Sequence, residues 1–160
     1  MTRLTHLDKS GNAHMVDVSD KDETSRMAKA SATINLTKTA MTALIEGNLQ
    51  KGDALGVARI AGIIAAKKTA DLIPLCHPLP ITKVSVNLVT DTNSNTVVAT
   101  ATVKTKGQTG VEMEALTAAS VAALTLYDML KSIDKSITIS TIQLIEKRGG
   151  KSGTWERTIE

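Results

Sequence analysis

All three prolines of the chain lie in one short segment, Ile73-Pro74-Leu75-Cys76-His77-Pro78-Leu79-Pro80, together with the only cysteine. Proline fixes φ and lacks an N–H, so this proline segment excludes regular helix and fixes the backbone around Cys76 and His77. Because histidine titrates near neutral pH, a rigidly held His77 is a candidate for proton transfer or phosphate contact. The segment could equally serve only to turn the chain, with His77 bonded to a backbone carbonyl. The segment alone favours neither interpretation.

The core must be built from aliphatic side chains, since the 160 residues include no phenylalanine, one tryptophan and one tyrosine. A chain of this length buries about two-thirds of its unfolded surface, so it needs no disulfide or metal to fold. It also lacks the aromatic platform on which single-stranded nucleic acid stacks. The net charge of +3 suits a phosphorylated small molecule but not duplex binding, and we expect no nucleic-acid partner.

The single cysteine cannot form an intrachain disulfide, which fits a reducing compartment. The first eight residues lack the apolar stretch of a signal peptide, and no uncharged run reaches the length of a membrane span. We therefore expect a cytoplasmic protein with no membrane partner.

Before the proline segment, hydrophobic periodicity predicts strands and two helices. Residues 15–19 and 28–36 alternate as short strands, with a charged loop between them. Thr37 then precedes a helix that ends at Gly47, and Lys51-Gly-Asp53 begins a second helix. The predicted inward positions of the two helices are Ala40, Met41, Leu44 and Ile45, then Leu55, Val57, Ile60, Ile63 and Ile64.

After the proline segment, the pattern predicts a hairpin, a long helix and a last strand. Residues 84–88 and 97–104 alternate on either side of a turn at 92–95, and the helix covers about 112–133. In the strand at 137–146, the apolar residues change face midway, which indicates a bulge or a change of partner.

This order of elements predicts an α+β fold of the ferredoxin-like kind, an antiparallel sheet with helices packed on one face. We expect residues 1–160 to form a single domain. Its N-terminal segment, about 1–12, is predicted to be flexible, and 148–160 is predicted to be a flexible basic tail. An uncovered sheet or helix face would favour self-association.

The long helix carries charged groups at both ends. Glu112 and Glu114 enter it, and Asp128 and Lys131 share a face near its end. The ordinary interpretation is a surface ion pair and acids that suit the helix dipole. Because residues 115–127 are uncharged, the helix is expected to be buried, which favours a pocket or an interface at its ends. Glu114 and Asp128 lie about 21 Å apart along one helix, so a site containing both would need two subunits.

Basic residues supply candidate phosphate ligands, namely Arg26, Lys51, Lys131, Lys147, Arg148 and Lys151. The run Gly149-Gly150-Lys151-Ser152 superficially resembles a phosphate loop. It lacks the upstream glycine and follows a strand without opening a helix, so we reject a nucleotide-triphosphatase. His6, His14, His77 and Cys76 have no zinc-site spacing beyond one adjacent pair, and we predict no metal site.

Motifs along nearly the whole chain resemble the MoaC family of molybdenum cofactor biosynthesis. They are Met15-Val-Asp-Val-Ser19, Lys51-Gly-Asp53, Ala58-Arg-Ile-Ala-Gly62, Leu72 to Pro80, Val111-Glu-Met-Glu-Ala-Leu-Thr117, Tyr127-Asp-Met129 with Lys131, and Glu146-Lys147 with Gly149-Gly-Lys-Ser-Gly153. The sequence departs from the family around residues 30–50, where Ala30-Ser31-Ala32 lacks an expected glycine, and in the hairpin.

The resemblance implies a lyase that converts 3′,8-cyclo-7,8-dihydroguanosine 5′-triphosphate to cyclic pyranopterin monophosphate and releases pyrophosphate. It also implies a ferredoxin-like fold assembled as a homohexamer, a trimer of dimers, with active sites between subunits. It implies no cofactor, and leaves open whether magnesium accompanies the triphosphate.

The resemblance also assigns roles by motif. The catalytic residues would be Asp128, Lys131 and Lys51. The substrate-binding residues would be Leu75, Cys76, His77, Glu112, Met113, Glu114, Arg26 and Lys147. Rebuilding a purine as a pterin needs several proton transfers, and closing a cyclic phosphate expels pyrophosphate, so a mixed set of acids and cations suits the reaction. Two other classes stay open, a non-enzymatic carrier of a phosphorylated pterin or nucleotide and a regulatory nucleotide sensor.

Overall fold

A computed structural model describes residues 7–8, 10–47 and 49–158 of the protein. Within these ranges the elements are β1 (Thr24–Asn35), α1 (Lys38–Glu46), α2 (Ala54–Lys67), α3 (Thr69–Leu72), β2 (Ile81–Asp91), β3 (Thr96–Gly107), α4 (Glu112–Leu130), β4 (Thr138–Arg148) and β5 (Trp155–Glu156). The predictions made for residues 1–6, including His6 as a candidate ligand, lie outside the described residues.

The five strands form one sheet in the order β2-β3-β1-β4-β5, with every neighbouring pair antiparallel. Since β1 and β2 both run antiparallel to β3, they are parallel to each other with β3 between them. This split βαβ arrangement is the ferredoxin-like topology, and the predicted fold class is confirmed. The predicted bulge is also present, because the register between β1 and β4 shifts twice.

The centre of the domain is a contact between small side chains. On β1 and β3, alternate residues face α4, and α4 presents its own small residues to them. The fully buried alanines are Ala28, Ala30, Ala32, Ala40, Ala58, Ala99, Ala101, Ala115, Ala118, Ala119, Ala122 and Ala123. Larger side chains such as Ile34, Leu126 and Leu130 fill the remaining space. Short side chains let α4 lie close to the sheet, which fixes its position firmly.

Helix α2 packs on α4 through a face that the sequence did not predict. Leu55 and Ile63 contact the core as expected. Val57, Ile60 and Ile64 are instead 43%, 60% and 50% exposed. The buried residues of α2 are Ala54, Ala58, Gly62, Ala65 and Ala66. The prediction failed because both faces of α2 are apolar, and the short helix-to-helix distance selects the smaller residues for the inside.

Helix α1 begins and ends as predicted. The Thr37 hydroxyl accepts a hydrogen bond from the Ala40 N–H at 3.3 Å, and Gly47 ends the helix at φ 69°. Only the inward position of Ile45 is wrong, since its side chain is 54% exposed.

Several predicted boundaries are corrected by the structure. Residues 15–19 are irregular rather than a strand, and β1 begins at Thr24. Helix α4 ends at Leu130 and is followed by a turn through residue 133. These differences arise where the side-chain pattern continues past the last backbone hydrogen bond of an element.

The residues predicted as a basic tail return to the sheet. Arg148 is the last residue of β4, and after a turn β5 pairs with β4, placing Trp155 opposite Lys147. The Arg157 N–H then donates to the Ile145 carbonyl at 2.9 Å. The turn at 149–153 is thereby held at both ends by the sheet.

By length and composition, α4 is the one described helix that could cross a membrane. However, 56% of that stretch is buried within the domain. Its apolar character is accounted for by its contacts with the sheet and α2.

The packing of α2 on α4 makes a testable prediction at Gly62. A Cβ added there would lie 2.8 Å from the Ala118 carbonyl oxygen and 3.2 Å from the Ala122 Cβ. We expect Gly62→Ala to lower the free energy of unfolding by about 1–3 kcal/mol, although alanine favours helix by about 1 kcal/mol. Denaturant unfolding measures the difference. Lys67→Ala, at an exposed position of the same helix, is the control. A stabilised Gly62→Ala protein would refute the close contact.

Candidate active site

A cleft of about 620 Å³ opens between the proline segment, the irregular residues 16–21 and the start of α4. Its lining residues are Val16, Val18, Lys21, Ile73, Leu75, Cys76, His77, Leu79, Thr109, Gly110, Glu112, Met113 and Glu114. We call it the acid cleft. It has the size of a small-molecule site. Six of the residues predicted to bind substrate line the acid cleft. Lys21 and Thr109 also line it, but the sequence analysis missed them because they lie in irregular segments without a motif.

His77 joins two walls of the acid cleft. Its Nε2 lies 2.8 Å from the Val16 carbonyl oxygen. A carbonyl only accepts hydrogen bonds, so Nε2 carries the proton and donates it. The bond to a backbone carbonyl that the sequence left open is therefore present. It holds the irregular segment against the proline segment and fixes the plane of the imidazole.

Glu114 is a buried carboxyl group inside the acid cleft, with only 4% of the residue exposed. Burial raises the pKa of Glu114, a hydrogen bond from its own backbone opposes that effect, and the charge of Glu112 adds to it. Burial, followed by the charge of Glu114, also raises the pKa of the Cys76 thiol. Cys76 is thus a neutral thiol that packs in the wall and is no activated nucleophile.

A second cleft, of about 490 Å³, adjoins the first and shares Lys21 and Thr109 with it. Its other lining residues are Asp22, Thr24, Arg26, Gln108, Gly150, Lys151 and Ser152. We call it the basic cleft because it collects Lys21, Arg26 and Lys151. The two clefts together present acidic and apolar groups at one end and cations at the other.

Arg26 lines the basic cleft, and Lys147 lies between Glu112 of the acid cleft and Ser152 of the basic cleft. The Arg26 guanidinium donates from Nε to the Gly107 carbonyl and from Nη2 to the Gln108 carbonyl, each at 3.0 Å. These bonds fix the guanidinium and the end of β3. The Lys147 ammonium lies 3.7 Å from Glu112 Oε1. Lys147 therefore links the acid cleft to β4.

The three residues predicted as catalytic meet at the other end of α4. The Asp128 carboxylate accepts from Lys131 at 2.7 Å and from Lys51 at 2.8 Å, and Lys51 also donates to the Asp128 carbonyl at 3.0 Å. These partners, Lys131 first, lower the pKa of Asp128 to about 2. Asp128 in turn raises the pKa of Lys131. The cluster is a charged network in which a substrate that displaces one lysine would change the proton affinity of the others.

The two groups of predicted site residues do not meet within one chain. Glu112 and Glu114 begin α4, whereas Asp128 and Lys131 stand at its end, and the clefts described above contain neither of the latter. The rise of an α-helix separates Glu114 from Asp128 by about 21 Å. The candidate site residues of one chain thus lie in two separate groups. Among the described residues, no group of three His, Cys, Asp or Glu side chains could hold a metal ion.

The fold and these groups define a small α+β protein with a nucleotide-sized cleft, one buried and one ion-paired carboxyl group, and clustered cations. The chain belongs to the MoaC family, whose profile matches residues 15–150. It is 60% identical to a protein of Jannaschia sp. (strain CCS1) over 98% of this chain and 96% of the relative. It is 58% identical to one of Cereibacter sphaeroides (strain ATCC 17029) over 98% of each chain. Both relatives are named cyclic pyranopterin monophosphate synthase.

The burial of Glu114 predicts a pH-dependent cost to stability. Because the folded-state pKa is raised above its ordinary value of 4.5, wild-type stability falls as pH rises from that value through the raised pKa. We expect Glu114→Gln to unfold at higher denaturant concentration than wild type at neutral pH, and the difference to vanish below pH 4.5. Unfolding free energies measured across this range test it, with exposed Glu23→Gln as the control. Parallel curves for Glu114→Gln and wild type would contradict the prediction.

Proposed function

We propose that this enzyme converts 3′,8-cyclo-7,8-dihydroguanosine 5′-triphosphate to cyclic pyranopterin monophosphate with release of pyrophosphate, an early step of molybdenum cofactor biosynthesis. The observation that carries the proposal is the pair of connected clefts, one acidic and apolar and the other basic. Such a pair suits a substrate with a heterocycle at one end and a triphosphate at the other. The names of the relatives support the same reaction.

In this proposal the heterocycle occupies the acid cleft. Leu75 and Met113 contact the ring faces, while His77 and Glu114 bond to its polar edge. Glu112 places a negative charge 3.7 Å from the Lys147 ammonium. The buried Glu114 carboxyl accepts hydrogen bonds from the ring when it is ionised, and it also donates one when it is protonated. The proposed reaction uses no resident cofactor of the protein.

The triphosphate then lies toward the basic cleft, beside Arg26 and Lys147. Arginine offers a planar fork to phosphate oxygens and lysine a movable point charge. Because Arg26 is already held by two carbonyls, its remaining N–H groups are fixed in direction. Cations so placed would stabilise the negative charge on the departing pyrophosphate.

Asp128, Lys131 and Lys51 are proposed to move protons as the rings open and close. Their charges are coupled, so binding of the substrate to one lysine would loosen its bond to Asp128 and raise the basicity of the carboxylate. Since this cluster and the acid cleft occupy opposite ends of α4, we propose that the complete site uses the Asp128 cluster of a second copy.

The surface of α2 supports assembly. Val57, Ile60 and Ile64 follow one another at helical spacing and are all at least 43% exposed, and Leu124 of α4 is 59% exposed. Exposed aliphatic rows of this kind are typical of protein contacts. We propose that another copy of the chain covers them in a homohexamer, a trimer of dimers. Residues 1–160 would then act as one catalytic domain in the cytoplasm.

Pyrophosphate release distinguishes the proposed enzyme from a carrier or a sensor. We expect wild type to release pyrophosphate from the cyclised triphosphate and to form the cyclic phosphate product. Loss of proton transfer in Asp128→Asn should lower turnover by about 10²–10⁴-fold while substrate binding remains measurable. Coupled pyrophosphate detection and titration calorimetry provide the two measurements. Binding of substrate by wild type without any release would support a carrier instead.

Mixing of inactive variants tests whether two copies build each site. Glu114→Gln and Asp128→Asn proteins should each have little activity, because each site lacks one group. When the two are coexpressed, random pairing should restore about one site in four. The matched control coexpresses Glu114→Gln with the double variant Glu114→Gln/Asp128→Asn, in which no site has Glu114. If the first mixture is as inactive as the control, each chain must hold a complete site.

A further inference from the structure

The turn at 149–153, Gly-Gly-Lys-Ser-Gly, was rejected above as a phosphate loop, yet it forms a wall of the basic cleft. It connects β4 to β5, and the Gly153 N–H donates to the Gly150 carbonyl at 3.1 Å. Gly149 and Gly150 have φ of 92° and 73°, in the left-handed region that favours glycine. The turn is therefore closed by its own backbone and anchored to the sheet on both sides.

The turn lies directly against Arg26. A Cβ on Gly150 would be 2.2 Å from Arg26 Nη1, and one on Gly149 would be 2.3 Å from the Ser25 carbonyl oxygen. Arg26 cannot easily move aside because Nε and Nη2 donate to the carbonyls of Gly107 and Gln108. Glycine is thus required at both positions for the turn to reach this depth.

The depth of the turn brings Ser152 to Lys147. The Lys147 ammonium donates to the Ser152 hydroxyl oxygen and faces Glu112 at 3.7 Å, with only 21% of the lysine side chain exposed. Direct lysine-to-carboxylate hydrogen bonds are about 2.7–2.9 Å long, so Glu112 does not hold Lys147 closely. Glu112 lines the acid cleft and Ser152 the basic cleft. The ammonium therefore lies between the clefts, shared by a residue from each.

We propose that Ser152 is a positioning residue, which holds the Lys147 ammonium at the junction of the two clefts for contact with the phosphate chain of the substrate. This inference rests on the proposed function. The lysine side chain is flexible, and it loses conformational entropy when its ammonium is fixed in one position. A hydrogen bond from Lys147 to Ser152 fixes the ammonium before the phosphate binds. An ammonium has three N–H donors, and Ser152 engages one of them while Glu112 lies 3.7 Å away, which leaves donors for a phosphate oxygen. Without the hydroxyl, Lys147 is free to close on Glu112, and that ion pair competes with phosphate.

Kinetics of Ser152→Ala test the positioning role. We expect kcat/KM for the cyclised triphosphate to fall about tenfold, chiefly through a higher KM, because a contact made in the ground state and transition state alike is weakened. Ser152→Thr, which keeps the hydroxyl, should restore most of the loss. Thr154→Ala removes an exposed hydroxyl from the same region and should have no effect. A failure of Ser152→Thr to recover activity, or an equal loss in Thr154→Ala, would overturn the role of the hydroxyl.

A double-mutant cycle shows whether Ser152 acts through Lys147. Binding of inorganic pyrophosphate is measured by calorimetry for wild type, Ser152→Ala, Lys147→Met and the double variant. The serine change should weaken binding about tenfold in the wild-type background and less than about twofold in the Lys147→Met background. Equal losses in both backgrounds, or no pyrophosphate binding by wild type, would overturn the proposal. Failure of wild type to turn over the cyclised substrate counts against the proposed function alone, because the binding cycle needs no turnover.

Discussion

The close contact of α4 with the sheet and with α2 is the constraint on which the rest of the structure depends. Alanine and glycine on all three surfaces let the backbones approach, and the Ala118 carbonyl leaves no space for a Cβ at Gly62. Close-packed interiors transmit small displacements instead of absorbing them. Because both ends of α4 carry charged site residues, the same contact fixes the acid cleft at one end and the Asp128 cluster at the other. Stability and site geometry are therefore set by one set of small side chains.

The carboxyl groups at the two ends of α4 have pKa values that are shifted in opposite directions. Burial raises the pKa of Glu114, whereas two lysines lower that of Asp128 to about 2. Environments that separate the pKa values of two carboxyls are a common way for one protein to hold both an acid and a base near neutral pH. In the proposed reaction Glu114 bonds to the ring, and Asp128 is the charged partner of the two lysines. Neither role depends on an unusual backbone.

Local signals predicted the parts of the fold that local forces determine. The cap at Thr37, the end of α1 at Gly47 and the alternating hairpin were all predicted. The proline segment alone left a turn and a site equally open, and its contact with substrate was expected only from the family resemblance. The inward face of α2 was not, because choosing between its alanines and isoleucines requires the distance to α4. Lys21 and Thr109 were missed for a related reason, since irregular segments gain a site role only from the elements that surround them. Residues 149–153 were predicted to belong to a flexible tail, because the two-residue strand β5 that holds them to β4 has no local signal in the sequence.

The preference for alanine inside α2 has a further consequence at the surface. Because alanines fill the inner face of α2, its larger aliphatic residues lie on the outer face. Ile60 and Ile64 are therefore exposed. These side chains are only half-exposed, so burying the rest of each against another chain would contribute about 1–2 kcal/mol. If the proposed composite site is correct, a chain with its two groups of site residues at opposite ends of one helix gains activity only through such an association. The distribution of small and large residues on α2 thus sets the distance between α2 and α4, and it also supplies the surface that the proposed composite site requires.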